Sequence, residues 1–180
     1  VNYLKVLFIL TLFLTGCSIE KSTGESTDSK REQKELSKKE KQKILLEFVN
    51  KKTKKVSDYE EAAFKSLTSV SGENFTNDQV MHTELVNNTI PSYKKALETA
   101  KKIKPGFSEL EEPKKQIVKA TETFYEALLL EKEALEKQDS DIMKQSNEKM
   151  VEYKKQIEEY HSQMQQLAKR LNVEYTPYSS

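Results

Sequence analysis

Apolar residues return every three or four positions along most of this chain, the spacing that lines one face of an α-helix. The pattern begins faintly: from Lys30 to Lys43 the residues are almost wholly polar, with Leu36 the main exception. That stretch predicts a basic stalk helix, solvated all round. Core spacing starts at Ile44 and Leu45 and runs through Phe48, Val49, Val56, Tyr59, Ala63, Leu67 and Val70, until Ser71-Gly72-Glu73-Asn74 interrupts it. Thr76 with Gln79 offers a capping box for a second helix carrying Val80, Met81, Leu85, Val86, Ile90, Tyr93, Leu97, Ala100 and Ile103. Pro91 falls inside that helix and has no amide hydrogen to donate, so a kink is expected near Asn87 to Ile90. Lys104-Pro105-Gly106 closes the segment.

Ser108 with Glu111 offers a second capping box, and Pro113 belongs in the first turn of a third helix. Its stripe is Ile117, Thr121, Phe124, Leu128, Glu131 and Leu135, widened by Tyr125 and Leu129. Gln138-Asp139-Ser140 is a turn in which either Asp139 or Ser140 can cap the fourth helix. There Met143, Ser146, Met150, Tyr153, Ile157, Tyr160, Met164, Leu167 and Leu171 step alternately by three and four, a heptad seam. Asn172 ends it, and Tyr175-Thr176-Pro177-Tyr178 is a tail expected either to fold over the bundle end or to hang free.

Helices of about 28 to 33 residues are about 42–50 Å long, and short connections make neighbours antiparallel. The expected fold is therefore all-α: an elongated antiparallel up-down bundle of four helices, one of them kinked at Pro91. A three-helix bundle with a loosely attached first helix, or a dimeric coiled coil through the fourth, are the alternatives.

The opening residues follow a different rule. Val1 to Lys5 carry one positive charge, Val6 to Leu14 is apolar apart from Thr11, and Leu14-Thr15-Gly16-Cys17 follows. A positive start, a short apolar core and small residues before a cut site describe a secretory signal; the run is too short for a bilayer span of about 20 residues. Leu14-Thr15-Gly16-Cys17 resembles the lipobox of bacterial prolipoproteins. The resemblance implies a diacylglyceryl thioether on Cys17, cleavage between Gly16 and Cys17, and a chain held on the outer face of the cell membrane. Cys17 is the only cysteine, so no internal disulfide can form, and acylation would account for an otherwise free thiol. Two acyl chains anchor firmly where one binds marginally. Ser18 to Ser29 is small and polar and reads as a flexible tether. The chain thus divides into a signal peptide (1–16), a lipidated cysteine and tether (17–29), a stalk (30–43), a bundle (44–172) and a tail (173–180).

Charge refines the picture. The whole chain carries 30 Lys and Arg against 29 Asp and Glu, yet residues 30–55 hold eleven basic and four acidic residues while 56–180 has a deficit of five. The basic residues Lys38, Lys39, Lys41, Lys43, Lys51, Lys52, Lys54 and Lys55 form a membrane-proximal stretch. It suits attraction to an anionic bilayer or wall polymer, or it is a solvated helix end kept soluble by its charge. With balanced charge and no aromatic-basic motif, the chain lacks the footprint of a nucleic-acid binder.

Catalytic patterns are weak. Glu158-x-x-His161 is half of a di-iron signature, but His82, the only other histidine, is preceded by Gln79. His161 stands beside the seam, as a surface residue would. Neither a zinc-protease helix, a phosphate-binding glycine loop nor a nucleophile elbow is present. Glu122, Glu126 and Glu131 read as solvated or flanking carboxylates, and Met150, Tyr153, Tyr160 and Met164 as core more than as an adaptable binding stripe. No cofactor, metal or catalytic residue is expected. The body is similar in outline to small helical lipoproteins of Gram-positive bacteria of the cell-wall-binding type, and to immunity or exclusion lipoproteins. The expected role is a non-catalytic interaction module at the cell envelope, meeting an envelope protein or cell-wall polymer. A self-associating coiled-coil spacer or a small-ligand-binding lipoprotein are the other readings.

Overall fold

The computed structural model describes residues 35–177. Gly16, Cys17, the signal, the tether, residues 30–34 of the stalk and Tyr178 of the tail lie outside the described residues. The described chain is all-α, with no strand among its residues.

Ser37 starts the first helix with a reciprocal box: its hydroxyl accepts from the Glu40 amide, and its own amide donates to the Glu40 carboxylate at 2.8 Å. Helix α1 (Lys38–Glu47) passes through a π-helical turn (Phe48–Thr53) into α2 (Lys54–Thr68). A three-residue 3-10 turn (Gly72–Asn74) leads to α3 (Asp78–Glu84), a second π-helical turn (Leu85–Thr89) and α4 (Ile90–Lys101). Another 3-10 turn (Ser108–Leu110) opens α5 (Glu111–Lys137), and α6 (Ser140–Leu171) completes the chain.

Side-chain bonds fix how neighbours run. Tyr93 donates to Glu60 and Ser66 meets Thr89, so α4 runs opposite to α2. Gln116 donates to the Gln156 carbonyl and Ser146 to the Ala127 carbonyl, so α6 runs opposite to α5. Asp139, of the two residues expected to cap α6, does so by accepting from the Asp141 and Ile142 amides. Gln138 and Asn172 end α5 and α6 in the left-handed conformation, which frees the chain to turn.

Two apolar clusters fill the interior. One gathers Leu45, Phe48, Val56, Ala100, Leu110, Ile117, Met164 and Leu167. The other gathers Ala63, Met81, Leu85, Tyr93, Phe124 and Leu128, with Phe64 and Tyr153 against it. The heptad seam of α6 is plain core: Tyr160, Met164, Leu167 and Leu171 are buried, and Met150 and Tyr153 pack on the second cluster.

The departures from sequence expectation have local causes. Residues 38–43 are not a free stalk, because Lys41 pairs with Glu109 and Gln42 donates to the Leu171 carbonyl at 2.6 Å. Asn77, not Thr76, caps α3 by accepting from the Val80 amide, and Val80, placed in the stripe, is 43% exposed. No side chain caps α5, whose first turn is prepared by the 3-10 turn instead of a Ser108–Glu111 box. Pro91 is the second residue of α4, one residue past the π-helical turn Leu85–Thr89, a wider turn close to where its missing amide breaks the helical ladder.

Each π turn adds about one residue to its turn and so rotates everything after it. Past Phe48–Thr53 the buried positions are Thr53, Val56, Glu60 and Ala63, and Tyr59 is only half-buried. Val56, Ala63 and Val70 keep their expected places in the core, but Glu60 goes inside where Tyr59 was expected, carrying a carboxylate inward.

Candidate functional site

Lys51, Lys52 and Lys55 lie beside the C-terminal half of α4, which presents Lys95, Glu98 and Thr99 and is followed by Lys102, Ile103 and Lys104. Together with Tyr59 these residues line an open groove of about 610 Å³. Its floor is Tyr59 and Thr99, both half-buried, and the buried Ile103. Its walls are six lysines and one carboxylate, Glu98.

Lys52 is the structural one of the six. Its ammonium donates to the Lys104 carbonyl at 3.0 Å and lies 4.0 Å from Glu47. That carbonyl follows the end of α4, where orphan carbonyls gather partial negative charge, so a cation there is well placed. The other five, Lys51, Lys55, Lys95, Lys102 and Lys104, make no ion pair with a carboxylate among the described residues.

Of the predicted basic stretch, the structure brings Lys51, Lys52 and Lys55 into this groove and leaves the rest elsewhere. Lys38, Lys39 and Lys43 are exposed on α1. Lys41 bonds Glu109 at 2.7 Å, which, with the Ser108 hydroxyl, holds that carboxyl down at about 2. Lys54 pairs with Asp58 one turn on. Sequence reading missed Lys95, Lys102 and Lys104 because the excess was counted over one long acidic block. A shorter window shows Lys94, Lys95, Lys101, Lys102 and Lys104 against Glu98.

A second polar constellation lies inside the bundle. Phe64, Tyr93, Phe124 and Tyr153, one from each of α2, α4, α5 and α6, form a contiguous aromatic layer with centroids 4.7–6.4 Å apart. Tyr93 donates to Glu60 at 2.9 Å from within it. Burial pushes the Glu60 carboxyl up to about 7, only partly offset by that bond. Burial and the facing Glu60 carboxylate in turn raise the Tyr93 phenol. Glu131, expected to be solvated or flanking, is buried, and burial alone raises it to about 7; its Oε2 has no hydrogen-bond partner. Glu122 and Glu126 are the surface carboxylates expected, paired with Lys101 and Lys149. Beside the π turn at Leu85–Thr89, the Ser66 hydroxyl links Glu84 and Thr89 at 2.6 Å each.

The histidines serve packing. His82 meets Glu136 at 3.0 Å. His161, expected at the surface, is half-buried under the tail, its Nδ1 2.7 Å from the Tyr175 hydroxyl, and burial lowers its pKa. Val173 and Tyr175 pack against the first cluster, which decides the open choice in favour of a folded-over tail up to that point. Among the described residues, no three His, Cys, Asp or Glu side chains gather so as to hold a metal ion, and no helix is long and apolar enough to cross a membrane.

No protein-family model, curated protein or solved structure matches the chain.

Proposed function

We propose that the chain is an extracytoplasmic lipoprotein, held at the outer face of the cell membrane by a diacylglyceryl group on Cys17, whose helical body acts as a non-catalytic interaction module at the cell envelope. The observation that carries this reading is the apolar run Val6–Leu14 leading into Leu14-Thr15-Gly16-Cys17, with Cys17 the only cysteine in 180 residues. The body supports it in a second way. Most of its apolar stripe is taken up by its own core, while a groove on its surface is lined by lysines and lacks a nucleophile paired with a base. Such a surface suits recognition by charge and shape. The α6 seam faces the same chain's helices, which favours the interaction module over a spacer that self-associates through that seam.

Expression in a bacterium with a lipoprotein maturation pathway tests the anchor. The chain is expected in the membrane fraction, labelled by radioactive palmitate, and Cys17→Ala is expected to release it or to leave the precursor uncleaved. Membrane retention with normal processing of Cys17→Ala would refute lipidation.

A further inference from the structure

We infer that the lysine groove between α2 and α4 is a binding site for a linear polyanion whose charges are phosphates. The inference deepens the interaction-module reading and rests on it only in taking the helical body as the part that binds. It does not need the anchor.

Four observations carry it. The first is charge. The chain as a whole is nearly neutral, yet five lysines converge here without a carboxylate partner among the described residues, and only Glu98 opposes them. Like charges gathered in this way repel one another, and more strongly where a protein wall lowers the dielectric. An anion in the groove turns that repulsion into attraction.

The second is residue type. Every cation of the groove is lysine. Arginine's planar fork binds carboxylate or phosphate in two-point contact, whereas the ammonium is a compact point charge that meets a phosphate oxygen from any direction.

The third is spacing. Lys51 and Lys55 stand one helical turn apart on one wall, about 6 Å, and Lys95 and Lys102 stand two turns apart on the other, about 10 Å. Charges repeated along two facing rails match an anion that also repeats along a line. A single phosphate would engage one end of the groove and leave the other cations as they were.

The fourth is shape, and it separates a polymer from a membrane. Tyr59 and Thr99 are half-buried and Ile103 is buried, while Lys51, Lys55, Lys95, Lys102 and Lys104 around them are exposed. A flat bilayer touches the ammonium tips but cannot reach that floor. A chain-like ligand lies in it, with phosphates on the lysines and its less polar links over Tyr59 and Ile103. Lys52, tied to the Lys104 carbonyl, holds the wall and is a positioning residue.

The test is calorimetric titration of the full chain, in non-ionic detergent, with inorganic polyphosphate, beside vesicles containing phosphatidylglycerol. Saturable binding to polyphosphate is expected, weakening as salt rises. Joint Lys95→Glu and Lys102→Glu substitution is expected to weaken it at least about tenfold. The same change of charge at exposed Lys144 and Lys155 on α6, outside the groove, should cost less than about twofold. Circular dichroism of both variants should match the parent, since all four positions are exposed. Absence of polyphosphate binding would overturn the inference, as would equal losses in the two double variants, the mark of non-specific attraction. Groove-dependent binding to the vesicles without binding to polyphosphate would assign the surface to the membrane and overturn the polymer. Membrane release of Cys17→Ala concerns the anchor alone, so failure of either idea is visible without the other.

Discussion

The two apolar clusters of the bundle are built from similar helices and yet differ in what they hide. Around Leu45, Phe48, Val56, Leu110, Met164 and Leu167 the buried polar groups are uncharged, with Thr53 between Phe48 and Val56 in the chain and the Tyr160 phenol in the cluster. Around Leu85, Tyr93, Phe124 and Leu128 the bundle also encloses Glu60, Thr89, Thr121, Glu131 and Ser146. Both halves contain a π turn, but only the second couples it to a hydroxyl and carboxylate network, through Ser66, Glu84 and Thr89. The lysine groove overlies the first half: Tyr59 and Ile103 of its floor belong to that cluster. A surface that recognises by the spacing of charges benefits from a base that does not titrate or rearrange. Of the two buried carboxylates, Glu60 turns to Tyr93 of the second cluster although it follows the groove's Tyr59 in the chain, and Glu131 lies between Leu128 and Leu135 of that cluster.

The largest break in this comparison should come from the apolar half. Phe48 is fully buried, and Phe48→Ala removes a ring that its surroundings cannot refill. The expected loss is about 3–5 kcal/mol in urea unfolding, with nearly the same value at pH 5 and pH 8. A loss below about 1 kcal/mol would mean that this half is loosely packed.

The polar half should respond to pH instead. The folded Glu60 carboxyl titrates near 7 against an ordinary 4.5, so between those values the folded state holds more protons than the unfolded one. Stability therefore falls as pH rises from about 4.5 to 7 and levels off above. The shift corresponds to about 3 kcal/mol, and Glu131, raised to about 7, acts in the same sense. Glu109, held at about 2, works in a separate window, adding stability above 4.5 that is lost as pH falls toward 2. Glu60→Gln can keep an acceptor for Tyr93 without the charge. It is expected to stabilise the protein by about 2–3 kcal/mol at pH 8 and hardly at all at pH 5. Unfolding curves at the two pH values check this, and an equal effect at both would sink it.

A smaller effect marks the edge of the apolar half. Gly106 sits at φ 98°, and a Cβ there would come within 2.6 Å of the Ile44 Cγ2 atom. Gly106→Ala should cost about 1–2 kcal/mol at either pH. A neutral result would show that the turn before Phe107 relaxes freely.

How far the molecule could be read from its residues follows the same divide. Helix α6 was legible, with its seam and the cap at Asp139, because no irregular turn disturbs its period. The first helical segment was legible at Leu45, Phe48, Val56, Ala63 and Val70, but beyond the π turn Glu60 goes inside where Tyr59 was expected. A π turn has no strong residue signature, although Pro91 did mark the second one. Glu131 was placed on the stripe of α5 by its spacing, yet its residue type argued for solvent; spacing prevailed. Half of the groove was visible as the lysine run through Lys55. The other half lies some forty residues later on α4 and joins it only through antiparallel pairing.

Hydrogen exchange of the full chain with and without polyphosphate tests most directly whether the groove over the apolar half is the binding surface. Ligand-dependent slowing is expected at 51–59 and 95–104, with the amides around Tyr93, Phe124 and Glu131 unchanged. Slowing centred instead on the exposed lysines at 38–43, or spread evenly over all six helices, would contradict it.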